Sequence, residues 1–294
     1  EALIAYLQNY FVEEFQSSVT SDNTFESRLR DLFSYTERAH KFDEQETKLI
    51  IEAIDKLNIL DPACGSGAFP MGILHKLVYV LGRLDPENII WLDIQLEKAV
   101  KETEEAYKIG DEDEQRQRIL DIEETFDNNT SDYGRKLYLI ESCLYGVDIQ
   151  PIAVQIAKLR FFISLIVDQS VNSLRPNLGI RPLPNLETKF VAANTLISLD
   201  KPLQPTLQET SIISELETKQ EDLAHIRHKL FLTRTQETKR KYRKFDKEKR
   251  LEIKELLVQS GWKNESATLL ANWDPYDQNT SSPFFESKWM MGIK

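Results

Sequence analysis

The residues best suited to chemistry form a glycine-rich segment, Asp61-Pro62-Ala63-Cys64-Gly65-Ser66-Gly67-Ala68-Phe69, between a short apolar run and a longer one. Glycine lets a backbone turn tightly or approach a ligand where a side chain would clash. Because the segment precedes a predicted helix, its free N–H groups would point at whatever lies above it. The pattern favours a bound nucleotide-like ligand, and the alternative is a tight structural turn in another doubly wound fold.

A second candidate residue is Asp148, which ends the apolar run that contains Tyr145 and Val147. An acid at the end of a second strand can accept hydrogen bonds from both ribose hydroxyls of an adenosine moiety, and such bonds contribute roughly 1.5–3 kcal/mol. Asp148 lies far beyond the usual ~20 residues from a glycine loop, which predicts an insertion between them. Taken alone, Asp148 would more often cap the helix that begins near Pro151. Together with the glycine loop, the ribose role is the better prediction.

Other nucleotide and metal sites match the sequence poorly. A P-loop requires Gly-Lys-Ser/Thr after its spacer, and no such run occurs. A dinucleotide-binding loop requires a third glycine at the position of Pro70. His225 and His228 are three residues apart, but no other Cys or His lies near enough in the sequence to complete a zinc site. We therefore expect no metal site.

The whole glycine-rich segment resembles motif I of the adenine-N6 DNA methyltransferases, whose loop packs under the methionine end of S-adenosylmethionine. The segment from Tyr145 resembles the second motif of these enzymes and its helix, with Ile149 against one face of the cofactor's adenine. Residues 190–197 resemble the third motif and place Asn194 near that adenine, although a turn-forming Asn is nearly as good an interpretation of this residue alone. The resemblance implies S-adenosylmethionine as cofactor. The implied contacts are Asp61, Pro62, Ala63, Cys64, Gly65, Ser66, Gly67, Ala68, Phe69, Asp148, Ile149, Asn194, Thr195 and Leu196.

The resemblance extends to the large fused restriction–modification enzymes often called type IIG, which methylate adenine and cleave DNA from one polypeptide. Residues 272–293 resemble the segment just before their fourth strand, which closes with Asn-Pro-Pro-Tyr. That tetrapeptide is absent from the 294 residues, and Asp274-Pro275-Tyr276 has one proline in a different setting. We therefore expect a partial chain that starts inside a longer protein and contains no catalytic residues of its own.

Hydrophobic patterning places these motifs on an α/β framework. Apolar residues at helical spacing fill the chain from Ala2 to about Asp55, and short strand candidates follow at 57–61, 143–149 and 189–197. With the resemblance, this order predicts a Rossmann-like class I S-adenosylmethionine-dependent methyltransferase fold, present in part, with helical insertions. The predicted domains are a helical segment 1–55, a cofactor-binding core 56–200 with an insertion at about 85–140, a charged helical insertion 201–270 that projects from the core, and a segment 271–294 that leads to the missing catalytic strand.

Composition indicates an ordinary globular protein, with 41% hydrophobic and 29% charged residues. No apolar run is long enough to cross a bilayer, no secretory signal is visible, and two cysteines do not make a disulfide framework, so we expect a cytoplasmic protein without a membrane partner. The net charge of −11 argues against uniform coating of DNA, but a local basic surface remains compatible with DNA binding. The basic stretch 232–250, with Tyr242 and Phe245, is a candidate for such a surface, and a solvated helix face is an equal alternative.

The first functional hypothesis is site-specific adenine methylation of double-stranded DNA by the full-length protein, in a type II (IIG/IIS) restriction–modification or phage-defence system. The rival hypothesis is a non-catalytic nucleotide-binding or scaffold module whose helical insertions bind a partner. Methylation of RNA or protein by the same chemistry is a third, because the cofactor motifs do not identify the methyl acceptor.

Overall fold

A computed structural model describes residues 1–15, 23–36, 38–106, 119–120, 122, 124–126, 131–174, 176–199, 210–231, 233 and 235–293. The main helices are α1 (Ala2–Phe15), α2 (Asn23–Phe33), α3 (Glu44–Asp55), α4 (Ala68–Leu84), α5 (Ile89–Ala106), α6 (Ser131–Ser142), α7 (Pro151–Ile166), α8 (Thr210–Phe231), α9 (Gln236–Gln259), α10 (Asn264–Asn272) and α11 (Ser287–Met291). The strands are β1 (Ile59–Asp61), β2 (Leu144–Asp148) and β3 (Phe190–Ala192). Parts of both predicted insertions, at 107–118, 127–130 and 201–209, lie outside the described residues.

The amino-terminal segment is helical, as its apolar spacing predicts. Helix α3 begins with a capping box in which Asp43 accepts the N–H of Glu46 at 2.8 Å and Glu46 accepts the N–H of Asp43 at 3.0 Å. These bonds satisfy backbone donors that have no partner inside the helix. Ile50, Ile51 and Ile54 are buried on the inner face of α3, which packs against α1 and α5.

The three strands form one parallel sheet in the order β1-β2-β3. Asp61 of β1 pairs with Gly146 of β2, and Gly146 pairs in turn with Phe190 of β3. The central strand is buried along its length except at Asp148, as expected for a strand covered on both sides. The predicted strands are therefore present. Their carboxyl ends meet at one edge, where open α/β sheets bind ligands.

Helix α7 packs on this sheet through one face. It begins at Pro151, as predicted, where the missing N–H of proline costs nothing. Val154, Ala157 and Phe161 are buried at helical spacing, and the ring of Phe161 lies 4.6 Å from that of Phe190 in β3. The helix therefore packs against β3 at Phe190.

Helices α8 and α9 form the predicted charged hairpin and pack against each other. Leu223 of α8 and Ile253 of α9 belong to the same hydrophobic core as Val147 and Val191 of the sheet. The expectation of a hairpin that projects from the core is therefore wrong. Both helices carry apolar residues at helical spacing, and this inner face brings the hairpin onto the sheet.

A buried ion cluster fixes the hairpin to the carboxyl-terminal segment. The fully buried carboxylate of Asp246 lies 2.7 Å from both Arg227 and Arg250. Arg250 also donates to the carbonyl of Ala271 at 2.6 Å, and Arg227 to the carbonyl of Trp289 at 2.5 Å. Burial would raise the pKa of Asp246, but the two guanidinium charges together lower it. The cluster therefore holds the backbone at two points of the segment that follows the hairpin.

The chain divides into two compact units. One comprises Glu1–Asn58, Gly72–Cys143 and Ser164–Ile180, and the other Ile59–Met71, Leu144–Ile163 and Arg181–Lys294. The second unit contains the strands, the glycine-rich loop and the hairpin. The four domains predicted from the sequence remain predictions. In the part of the chain that the structure describes, no helix combines the length and the apolar character needed to span a bilayer.

Candidate functional site

The glycine-rich loop leaves β1 and enters α4 through two tight turns. Asp61 accepts the N–H of Ala63 at 3.1 Å, and Gly67 donates its N–H to the carbonyl of Cys64 at 2.8 Å. Cys64 donates its own N–H to the carbonyl of Val147 in β2 at 2.8 Å. The loop is therefore fastened both internally and to the neighbouring strand.

The two glycines of the loop serve different purposes. Gly67 and Gly65 have φ angles of 79° and 53°, which side chains rarely permit. A Cβ on Gly67 would lie 2.8 Å from the Cβ of Ala157 in α7, so this glycine allows close packing. A Cβ on Gly65 would meet no described atom within 4 Å. The backbone at Gly65 therefore borders open space, as a backbone that approaches a ligand must.

Asp148 contacts this loop directly from the end of β2. Its Oδ2 accepts the N–H of Gly65 at 3.0 Å, and its Oδ1 accepts the N–H of Gln150 at 2.8 Å. Gln150 lies just before α7, so this second bond is close to the helix-capping role that was the alternative prediction for Asp148. Each carboxylate oxygen can accept more than one hydrogen bond. Asp148 therefore keeps acceptor capacity for hydroxyl groups, and both predicted roles fit one geometry.

The end of β3 lies beside the same loop. Thr195 donates its hydroxyl to the carbonyl of Pro62 at 3.1 Å. The Oδ1 atom of Asn194 accepts the N–H of Leu196 at 3.1 Å, which is the turn that the alternative interpretation of this residue predicted. The amide nitrogen of Asn194 is a further donor at this edge. Predicted residues from all three strand ends are therefore brought together.

Large apolar side chains at this edge are exposed. The exposed fractions are 60% for Phe69, 58% for Ile149 and 93% for Leu196, while Ala68 is exposed and Ser66 half-buried at the start of α4. A few polar groups among exposed apolar side chains are typical of a ligand site. The combination suits a nucleoside, whose flat base can pack on apolar side chains while the hydroxyl groups of its sugar bind polar groups.

Cys64 is a buried packing residue of the loop. Its side chain is only 6% exposed. Burial, reinforced by the negative charges of Asp61 and Asp148, raises the pKa of its thiol to about 12. The thiol is therefore protonated at neutral pH, and a protonated thiol is a poor nucleophile.

Ser282 also belongs to this edge, and the sequence did not predict it. Its N–H donates to the carbonyl of Ala192 at 2.9 Å, and its carbonyl accepts the N–H of Asn194 at 2.9 Å. The pairing is parallel and one residue long, opposite Ala193. A bridge of one residue has no strand periodicity, so no pattern in the sequence could have revealed it. Ser282 holds the backbone of Asn194 in place.

A buried lysine lies on α7, away from the glycine loop. The side chain of Lys158 is 6% exposed and lines a small polar cavity with Glu187 and Asp277. Burial lowers the pKa of Lys158 to about 8, although the nearby carboxylate of Glu187 opposes this shift. Glu187 is also paired with Arg243 at 3.0 Å. We interpret Lys158 and Glu187 as residues that stabilise the fold of this unit.

The histidine pair of the sequence lies on α8, where His225 and His228 each interact with other protein groups. Across the described ranges, no three His, Cys, Asp or Glu side chains cluster in a way that could hold a metal ion. The chemistry of the sheet edge is that of backbone donors, the carboxylates of Asp61 and Asp148, and apolar surface.

Part of the chain, including the ends of β2 and β3, is similar to a family of known proteins. Residues 142–277 match the family described as Eco57I restriction-modification methylase. The chain is similar to restriction-modification methylases. The match to this methylase family includes Asp148 and Asn194, while the glycine-rich loop lies before it. The resemblance to a methyltransferase of a restriction–modification system, predicted from the motifs, is confirmed.

A curated relative gives the same result. Over 150 residues the chain is 32% identical to a protein of Methanocaldococcus jannaschii that is provisionally named a type II restriction enzyme and methyltransferase. The match covers 51% of this chain and 9% of that protein. No solved structure matches the chain. Since so little of the relative is covered, the activity and partners of the whole protein are matters for proposal.

Proposed function

We propose that this chain is the S-adenosylmethionine-binding part of a site-specific DNA adenine-N6 methyltransferase in a type II (IIG/IIS) restriction–modification or phage-defence system. The three-stranded parallel sheet is compatible with the first strands of a class I methyltransferase fold, and we assign it to that fold. The observation that carries the proposal is the contact between Gly65 and Asp148 at the carboxyl edge of the sheet, in a chain similar to restriction-modification methylases.

The residues at the sheet edge fit the cofactor. The open space beside Gly65 leaves room for the methionine end of S-adenosylmethionine over the loop from Ala63 to Ala68. Asp148 has acceptor capacity for two ribose hydroxyls. The exposed side chain of Ile149 would pack against the adenine ring, with Asn194 and its two following residues near the ring edge. When bound, S-adenosylmethionine supplies an electrophilic methyl group on its sulfonium.

The methyl acceptor is the exocyclic amine of a flipped adenine. This amine is a poor nucleophile because its lone pair is delocalised into the ring. In the adenine-N6 enzymes that this chain resembles, Asn-Pro-Pro-Tyr accepts hydrogen bonds from the amine and stacks on the base. The tetrapeptide does not occur among the 294 residues. We therefore place the methyl-acceptor site outside this chain, and we assign to the chain the binding and orientation of the cofactor.

The test incubates the full-length protein with mixed-sequence duplex DNA and S-adenosylmethionine that carries a tritiated methyl group. The DNA is then digested to nucleosides and separated by chromatography. We expect the label in N6-methyl-2′-deoxyadenosine. A label in methylated cytosine contradicts the adenine assignment. Cofactor binding without labelling of DNA favours the non-catalytic module or a non-DNA substrate, which labelling of RNA and protein would distinguish.

A further inference from the structure

The helix α9 carries a dense group of positive charges. Eight of the twelve residues from Lys239 to Arg250 are Lys or Arg, although the chain has a net charge of −11. The helix lies in the same compact unit as the glycine-rich loop, and its inner residue Ile253 shares a core with Val147 and Val191 of the sheet. These charges therefore sit on an element that is fixed to the sheet.

Three of the eight cations have partners within the fold. Arg250 pairs with the buried Asp246 at 2.7 Å, and Arg243 pairs with Glu187 at 3.0 Å. Lys249 contacts two acidic side chains, at 3.2 and 3.1 Å. These three cations have a structural role, because each forms an ion pair that stabilises the hairpin or its contacts with the rest of the unit.

Four of the remaining cations are exposed, and we call them the basic surface: Arg240, Lys241, Lys244 and Lys247. The ammonium of Lys244 lies 3.6 Å from Glu248, in a pair whose side chains are 74% and 52% exposed. An ion pair this exposed contributes little to the stability of the fold. Among the described residues, the other three members of the basic surface form no ion pair. No carboxylate of the described residues therefore neutralises these three charges, although the ammonium of Lys241 lies 5.9 Å from the ring centre of Tyr242 and 5.8 Å from that of Phe245.

The spacing of the basic surface is unfavourable for an isolated helix. Lys244 lies four residues after Arg240 and three residues from both Lys241 and Lys247. Like charges at these spacings face one another on a helix and repel. A polyanion that lies along α9 would relieve this repulsion.

We propose that the basic surface binds the phosphate backbone of double-stranded DNA. The proposal rests on the proposed function, since a DNA methyltransferase must hold a duplex. Arg240 and Lys247 are seven residues apart, which is about 10 Å along a helix. Successive phosphates of one strand advance about 3.4 Å along the duplex axis, so the surface matches about three phosphates. Phosphate contacts fix register without reading bases, so the basic surface positions the duplex and does not select the target sequence.

The test compares the full-length wild-type protein with a variant in which all four cations of the basic surface are changed to Gln. Binding to a fluorescent mixed-sequence duplex is measured by anisotropy between about 50 and 200 mM salt. We expect the variant to bind roughly 10-fold or more weakly at the lower salt. The slope of log affinity against log salt should become shallower by about 2 to 4, because each lost phosphate contact removes about 0.9. The conservative variant Arg240→Lys should keep the wild-type slope.

A matched control removes the same number of charges from exposed lysines elsewhere, at Lys41, Lys48, Lys101 and Lys263. This control should keep the wild-type slope, and circular dichroism should show that both variants are folded. An unchanged slope in the basic-surface variant overturns the proposal. A loss of binding to RNA or to phosphatidylserine vesicles with full retention of DNA binding overturns it as well.

Cofactor binding by the same variant separates this proposal from the proposed function. The basic-surface variant should bind S-adenosylmethionine as the wild type does, because none of its changes lies at the sheet edge. The wild-type protein could bind DNA through the basic surface and yet fail to bind the cofactor. That result would contradict the proposed function but would still support the DNA-binding surface.

Discussion

The backbone N–H of Gly65 donates a hydrogen bond to Oδ2 of Asp148 at 3.0 Å, although the two residues are 83 positions apart in the sequence. The bond joins the loop after β1 to the end of β2. It places a carboxylate beside the stretch of backbone that borders open space. A nucleoside with an attached amino acid needs both features close together, and the parallel pairing of the two strands supplies them.

Replacement of Asp148 by Asn should weaken cofactor binding, and it also removes one of the two acceptors that now bind the backbone N–H groups of Gly65 and Gln150. The amide keeps the size of the side chain but loses the charge that strengthens hydrogen bonds from hydroxyls, so affinity for S-adenosylmethionine should fall about 10- to 100-fold. Isothermal titration calorimetry measures this change. Asp93→Asn, at an exposed aspartate of α5, is the control and should bind normally. Equal affinity of both variants for S-adenosylmethionine would show that Asp148 does not bind the cofactor.

The two loop glycines should respond differently to Ala. Gly67→Ala combines the strain of a positive φ with a clash against Ala157, and should cost about 2–5 kcal/mol in the free energy of unfolding. Gly65→Ala has the strain without the clash, so about 1–2 kcal/mol is expected, together with weaker cofactor binding. Urea denaturation gives both values. Equal losses of stability would contradict the packing that we describe around Gly67.

The buried cluster of the hairpin should dominate the stability of its unit. Asp246→Ala leaves the charges of Arg227 and Arg250 buried without their partner, and should cost about 3–5 kcal/mol. Glu252→Gln is the control, because this carboxylate is 47% exposed and its ion pairs are on the surface. The control should cost less than about 1 kcal/mol. Similar losses in the two variants, measured by urea denaturation, would show that the cluster is not buried as described.

The buried Lys158 predicts a pH dependence of stability. Its pKa is about 8 in the folded protein and 10.5 in the usual case. Below pH 8 the lysine is charged in both states, and the folded state bears the full cost of burying the charge. Between the two pKa values the unfolded chain binds more protons, so stability rises with pH, and above 10.5 the cost is gone.

Comparison with Lys158→Met isolates this effect. The stability of the variant relative to wild type should be greatest at neutral pH and should shrink by about 3 kcal/mol as the pH rises past 10. Urea denaturation at pH 7 and pH 10 measures the difference. Lys101→Met, at a side chain that is 74% exposed, should show no such trend. A difference for Lys158→Met that does not vary with pH would contradict the burial of the ammonium.

The sequence predicts the sheet edge well because its signals are local. A short apolar run, a loop of small residues and a helix follow one another from Leu57 to Leu84, and the second run ends at Asp148. Once parallel pairing is inferred, the strand ends must lie together. The two candidate roles of Asp148 could not be separated from the sequence, because one carboxylate can satisfy both a turn and a ligand.

The packing of the hairpin depends on contacts that no local pattern reveals. Asp246 and Arg250 have the spacing of a helical ion pair, but they lie in a stretch so basic that the sequence predicts a solvated face. Only the fold brings Arg227 to Asp246 and the carbonyl of Ala271 to Arg250. Ser282 is a similar case, since its pairing with β3 spans about ninety residues of sequence.

A crystal structure of the full-length protein with S-adenosylhomocysteine, the product form of the cofactor, would test the cofactor site most directly. The site that we describe predicts its ribose hydroxyls within hydrogen-bonding distance of Asp148 and its amino-acid end over the backbone at Gly65. A nucleoside bound elsewhere, or a sheet edge closed by the protein's own side chains, would contradict the assignment of the cofactor site to this edge.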